Sequence, residues 1–141
     1  MRYFCPGCWG DFGRDLARCP HCGLDIRAFF ESKGYVEKLL LALGHPEQGT
    51  VIRAAWILGQ RREAGAVDAL ADLAGKTPDV YIAQAAVEAL GRIDTPEAFG
   101  RLRRLAGHPA RMVREEVELI LARRVETRCE GAEPTTERNK K

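Results

Sequence analysis

No stretch of this chain is apolar for long enough to cross a bilayer: its longest aliphatic run, Leu39 to Leu43, is far short of the roughly 20 residues a spanning helix needs. The amino terminus, Met1-Arg2-Tyr3-Phe4-Cys5-Pro6, lacks the apolar segment and small-residue cleavage site of a secretory leader. The expectation is therefore a cytoplasmic protein with no membrane association. Net charge is nearly absent as well, since 22 Lys and Arg stand against 20 Asp and Glu, a formal +2. That excludes both a protein that binds nucleic acid by bulk charge and an acidic tail protein. Aromatic residues make up only 7%, so the core should be built from aliphatic side chains and alanine. Within 141 residues there is no room for a large two-domain enzyme; the length suits one ordinary domain, or a small module attached to a slightly short one. What is present, 45% apolar and 30% charged residues, is the balance of a globular chain and not of a disordered one.

Cysteine is almost confined to the start. Four of the five lie in the first 22 residues, as Cys5-Pro6-Gly7-Cys8 and Cys19-Pro20-His21-Cys22, with ten residues between the pairs. In a reducing compartment such pairs hold metal more often than they form disulfides. Each C-x2-C unit makes a tight knuckle, and two knuckles can offer four thiolates to one tetrahedral ion. The spacer is shorter than the usual 15 to 20 residues, yet a short hairpin from Trp9 to Arg18 can bring the knuckles together. Gly23 supplies the permissive backbone that lets amides point at sulfur. Residues 3 to 25 resemble a zinc ribbon, with Cys-Pro-His-Cys-Gly the most characteristic piece.

The ligand set is thus Cys5, Cys8, Cys19 and Cys22, and the expected cofactor is one structural zinc ion; a rubredoxin-like iron site and a redox dithiol pair are the alternatives. Metal is needed here, because some 25 residues carrying Tyr3, Phe4, Trp9, Phe12, Leu16, Leu24 and Ile26 bury too little surface to fold alone. Four bound cysteines leave no position for water, so the site should be structural. His21, between two ligands, should point away from the ion. Four thiolates and one divalent ion would bring the formal +2 to zero.

From about Ile26 the texture changes to Leu, Ala and Val at helical spacing, and an internal repeat emerges. Ala54-Ala55-Trp56-Ile57-Leu58-Gly59 aligns with Ala86-Val87-Glu88-Ala89-Leu90-Gly91 at an offset of 32, and Ala66, Leu70 and Leu73 align with Ala98, Leu102 and Leu105 at the same offset. Gly44-His45-Pro46 recurs as Gly107-His108-Pro109, two periods away with a one-residue slip. Six helices are predicted, near 33 to 43, 47 to 58, 64 to 74, 79 to 90, 95 to 106 and 109 to 124. Gly44, Gly59, Gly91 and Gly107 follow apolar runs as left-handed C-terminal caps would. Pro46, Pro78, Pro96 and Pro109 suit first helical turns, with Thr77 and Thr95 as N-caps.

This arrangement resembles the HEAT-repeat family, especially its short bacterial and archaeal form related to phycobilisome-lyase repeats, over about residues 33 to 124. The resemblance implies an all-α fold: a right-handed α-solenoid of about two full repeats plus flanking half-repeats, preceded by the ribbon's small β-hairpin. The expected division is a ribbon over 1–26, a solenoid over 27–125 and a polar, frayed tail over 126–141. If Arg114 corresponds to Arg53, Glu115 and Glu116 replace the alanine pair and polarise the last helix as a capping face. HEAT-repeat di-iron hydroxylases use His-Glu dipeptides, and none occurs here.

Other residues carry bland expectations. His45 and His108 should be repeat-linked turn residues, and Cys129 incidental. Trp56 should pack under the adjacent repeat, while Phe29, Phe30 and Trp9 should dock the ribbon onto the first helix. Residues 96 to 125 hold a local excess of three positive charges. By the resemblance, second helices line the concave face, where Arg101 and Arg104 would stand beside Asp72 and Asp68 in a partly neutralised ladder. Arg101, Arg104 and Asp72 are the candidate partner-binding residues. The function expected is a monomeric, non-catalytic adaptor that binds another protein, with nucleic-acid binding through the ribbon and the basic last repeat as the alternative and a lyase-like or redox enzyme behind it.

Overall fold

The computed structural model describes the backbone of residues 1–130 and the side chains through Arg128. Two short strands, β1 (Tyr3–Phe4) and β2 (Asp11–Phe12), pair antiparallel with Tyr3 opposite Phe12 and Phe4 opposite Asp11. A one-and-a-half-turn helix follows, α1 (Ile26–Glu31), started by Asp25, whose carboxylate accepts the Ala28 amide. Then come α2 (Tyr35–Ala42), α3 (Gln48–Gln60), a 3-10 turn at Ala64–Ala66, α4 (Val67–Lys76), α5 (Val80–Ile93), α6 (Pro96–Leu105) and α7 (Arg111–Glu130). All six anticipated helices exist; α1 is an addition, ahead of the first anticipated helix.

The helices stack in two layers. α3 packs on α5 and α5 on α7, forming one layer; α4 packs on α6 in the other. Each first-layer helix also meets the second-layer helix before it, α2 on α3, α4 on α5 and α6 on α7. Two full repeats, α3 with α4 and α5 with α6, are therefore flanked by the half-repeats α2 and α7. The core between the layers is aliphatic, as the low aromatic content required: Leu58, Leu70, Leu90 and Leu102 are fully buried, with Val87, Val113 and Val117. Truncating one of these leucines to alanine would cost about 2 to 5 kcal/mol.

Several local expectations are corrected. Gly59 and Gly91 lie inside α3 and α5, and the left-handed residues are instead Arg62 (φ 50°) and Asp94 (φ 54°), again 32 apart. The glycines serve packing: a Cβ on Gly59 would lie 2.8 Å from the Ala89 Cα, and one on Gly91 2.9 Å from the Ile120 Cγ2. Neither Gly44 nor Gly107 has a positive φ. Of the four prolines only Pro96 is in a first helical turn, behind the N-cap Thr95, whose hydroxyl accepts the Ala98 amide. The other three fill a turn that recurs between layers. In it the side chain before proline accepts the amide two residues on: His45 Nδ1 from Glu47, Thr77 Oγ1 from Asp79 and His108 Nδ1 from Ala110, at 3.0, 3.2 and 3.0 Å. Thr77 is thus a turn residue, and Asp79 caps α5 by accepting the Tyr81 and Ile82 amides.

The last half-repeat also shifts. Since Gly59 meets Ala89 and Gly91 meets Ile120, α7 follows α5 at an offset of 31, so Val117 and Glu118, not Glu115 and Glu116, take the places of Ala54 and Ala55. Val117 is buried and Glu118 exposed, while Glu116 is half-buried. Only one glutamate therefore stands at the alanine-pair position, because α7 keeps the offset of 63 that the Gly-His-Pro turn sets and not the 61 implied by pairing Arg114 with Arg53. α7 runs to Glu130, five residues beyond the expected boundary at 125. Polar composition did not stop it, because Val125 to Arg128 contain no glycine or proline and an established helix propagates more easily than it starts. The rest of the anticipated tail, residues 131–141, and the Cys129 side chain lie outside the description. Among the described residues no helix is long and apolar enough to cross a membrane.

Candidate metal centre

The two knuckles are copies of one another, 14 residues apart. Cys5 N–H donates to the Gly10 carbonyl and Cys19 N–H to that of Leu24; Trp9 N–H returns to the Cys5 carbonyl and Gly23 N–H to that of Cys19. Both turn residues are left-handed, Trp9 with φ 57° and Gly23 with φ 76°. The second knuckle uses glycine, for which this is free; the first places a tryptophan there, where a Cβ costs roughly 1 to 2 kcal/mol. Amides point at the sulfurs, Gly7 N–H at Cys5 and His21 N–H at Cys19 at 3.3 Å, and Gly10 N–H at Cys8 at 3.4 Å. The pairing differs from a single hairpin of Trp9 to Arg18. β1 and β2 instead bracket the first knuckle, and an isolated bridge between Arg18 and Asp25 brackets the second.

The four sulfurs converge. Cys5 and Cys22 are 3.6 Å apart, Cys8 and Cys19 3.8 Å, and all four lie within 4.8 Å of one another. A tetrahedral ion with metal–sulfur bonds of about 2.3 Å requires sulfurs roughly 3.8 Å apart, so the set fits one metal ion. Cys5 and Cys19 are buried, Cys8 and Cys22 exposed. Without metal the thiols compete. Burial pushes the Cys19 thiol up, but the Cys22 and His21 amides aimed at its sulfur outweigh this and hold it at about 6. For Cys22 the Leu24 amide pulls down, and desolvation with three neighbouring sulfurs overcomes it, to about 12. Cys8 is also raised: the Gly10 amide favours its thiolate, but desolvation and the Cys19 and Cys5 sulfurs prevail.

His21 turns away from the sulfurs, and its Nε2 lies 3.1 Å from the Asp11 carbonyl oxygen. With that acceptor, Nε2 carries the proton. The ring crosses Gly10 so closely that a Cβ there would sit 2.5 Å from the imidazole Cδ2. His21 therefore ties the second knuckle to the strand that leaves the first.

The ribbon meets the helices through a residue expected only to make a turn. His45, between α2 and α3, receives Phe4 and Trp9 edge-on, with ring centroids 4.8 and 5.2 Å away. Its counterpart His108 shows what this replaces. His108 Nε2 lies 3.0 Å from the Ala74 carbonyl at the end of α4, the second-layer helix one repeat earlier. At His45 the described residues offer no such earlier helix, and ribbon aromatics occupy its position. Trp9 thus docks on the turn that follows α2, while Phe30 joins Tyr3, Phe4, Phe12 and Ile26 around a cavity of about 340 Å³ that Lys38 of α2 also lines. Phe29 instead stacks edge-on against Phe30 and lies 5.2 Å from the Lys33 ammonium. The sequence signal for His45 was present in the Gly44-His45-Pro46 recurrence, but its aromatic partners are distant in the chain.

On the second layer Arg101 of α6 pairs with Asp68 of α4 at 2.6 Å. Arg104 and Asp72 are exposed on the same two helices, and among the described residues they form no ion pair with each other. The ladder is therefore one rung, and exposed pairs of this kind contribute little to stability. Trp56 departs from expectation. It is 51% exposed and stands outside the core, while Ala54, Ala55 and Leu58 of the same helix are buried.

A family model described as HEAT repeats matches residues 36–122, the span of α2 through most of α7. No curated protein matches the chain. The match covers more than half of the sequence, and its bounds coincide with the stacked helices and exclude the ribbon: the chain belongs to the HEAT-repeat family.

Proposed function

We propose that this chain is a non-catalytic adaptor in which a zinc ribbon closes one end of a short HEAT solenoid, and the solenoid surface binds another protein. The observation that carries the reading is the closed sulfur set. Four cysteine sulfurs within 4.8 Å of one another fill a tetrahedral ion's coordination and leave no site on it for a substrate. The ion then organises structure, and what remains available for function is helical surface. All-sulfur tetrahedral ligation suits zinc or iron; zinc is proposed, and metal analysis with a visible spectrum separates the two.

The adaptor is a monomer that offers the second-layer helices α4 and α6, with Arg101, Arg104 and Asp72 on them. Partner capture from native lysate tests this, comparing wild type with Arg101→Glu/Arg104→Glu. The same protein should be retained by the first and lost from the second; wild type that retains nothing would sink the adaptor reading. Nucleic-acid binding is the second reading, favoured by the exposure of Arg104 on α6, which forms no ion pair among the described residues. It requires affinity for RNA or DNA that falls steeply with salt, so absence of binding at low salt removes it.

A further inference from the structure

We infer that the groove between α6 and α7 is a seat for one amphipathic helix carrying acidic side chains, supplied by a partner protein. This goes beyond the adaptor reading: it adds a second contact, separate from the Arg101 and Arg104 surface.

The argument comes from repeat equivalence. In the complete repeat, α6 lies on both α4 and α5, and Val67 and Ala71 of α4 with Leu90 and Ile93 of α5 are buried. One repeat on, the corresponding positions are Phe99 and Arg103 of α6 (offset 32) and Leu121 and Arg124 of α7 (offset 31). These four, with Val125 and Arg128, line an open groove of about 280 Å³. Among the described residues no helix fills it. The seat retains apolar side chains in half-buried Leu121 and in Val125, 64% exposed, beside Phe99, which is already buried beneath Arg124.

Chemistry at the rim identifies the occupant. Ala71 has become Arg103 and Ile93 has become Arg124, and Arg128 extends the row. The lining holds three arginines and no carboxylate. Arg124 stacks on the Phe99 ring, its guanidinium carbon 3.5 Å from the centroid, and its Nε is 3.9 Å from the Asp94 carboxylate. It covers the ring that a neighbouring helix would otherwise cover, and an incoming carboxylate competes with Asp94 for it. An occupant with leucine-like side chains on one face and glutamates beside them satisfies both floor and rim; a basic or nucleic-acid ligand satisfies only one or neither.

The test uses the full-length, metal-loaded chain and a fluorescent synthetic peptide helix with a leucine stripe flanked by glutamates. A second peptide has lysine in place of every glutamate. Anisotropy should show binding of the acidic peptide only, weakened about tenfold or more by Val125→Glu/Arg128→Glu and unchanged by Arg101→Glu/Arg104→Glu. Both seat substitutions are at exposed positions, and an unchanged melting temperature verifies the fold. Equal binding of both peptides, or equal binding to the seat variant, overturns the proposal. So does self-association abolished by Val125→Glu, which makes a second copy the occupant, or affinity that rises sharply on deletion of residues 131–141, which makes the chain's own end the occupant. Peptide binding tests the seat and lysate capture with Arg101→Glu/Arg104→Glu tests the adaptor surface, so failure of one is read separately from failure of the other.

Discussion

Gly59 of α3 and Ala89 of α5 touch backbone to backbone, so close that a methyl group on the glycine would sit 2.8 Å from the alanine Cα. The first layer stacks through this contact and through its repeat one step on, Gly91 against Ile120. The two differ in what a methyl would strike. At Gly59 the obstacle is main chain; at Gly91 it is a half-buried isoleucine side chain.

Gly59→Ala should therefore destabilise the chain by about 1 to 2 kcal/mol, overpacking outweighing the roughly 1 kcal/mol that alanine contributes to a helix interior. Gly91→Ala should cost distinctly less, because Ile120 can move. Urea unfolding of the two variants checks the order, and an equal or reversed cost would show that the layer spacing is not set at Gly59.

Removing the metal should uncouple the ribbon from the solenoid. With the knuckles unfolded, Phe4 and Trp9 leave His45, and hydrogen exchange should speed up in α2 and the start of α3 while α5 and α6 keep their protection. His45→Ala should produce part of the same loss with the metal still bound. Residues 31–125 alone should melt at a lower temperature than the full chain; equal heat stability, with the fragment soluble and monomeric, would refute the capping role of the ribbon.

Metal loading should release protons at neutral pH. In the metal-free chain Cys19, held at about 6, is already largely thiolate at pH 7, whereas Cys22, pushed to about 12, and Cys8, also raised, are protonated. The bound form carries fewer protons, so affinity must rise with pH and fall as the solution is acidified. Calorimetry in buffers of different ionisation enthalpy should count at least two protons, from Cys8 and Cys22. A heat independent of buffer would contradict the thiol assignment.

Much was legible in the sequence because it is local. C-x2-C spacing specifies a knuckle within a few residues, and the recurrence of Ala-Ala-x-x-Leu-Gly as Ala-Val-x-x-Leu-Gly at an offset of 32 specifies a helix pair and its repetition. Both survive any arrangement of the remaining chain. The misreadings share a different cause. Gly59 suits a cap or a helix crossing equally well, and only the neighbour α5 decides which. Trp56 is apolar and central in its helix, yet it stands 51% exposed while Ala54, Ala55 and Leu58 take the buried positions.

By itself the sequence determined four converging cysteines, an alternating series of helices and an aliphatic core, since spacing and periodicity act within a turn or two of chain. The tertiary structure alone decided that His45 receives the ribbon where His108 receives α4, that Arg101 takes Asp68 and leaves Arg104 exposed, and that α6 and α7 part around an arginine-rimmed groove. Each of these joins residues far apart in the chain, Phe99 and Arg124 by 25 positions and Phe4 and His45 by 41, beyond the reach of local spacing and periodicity.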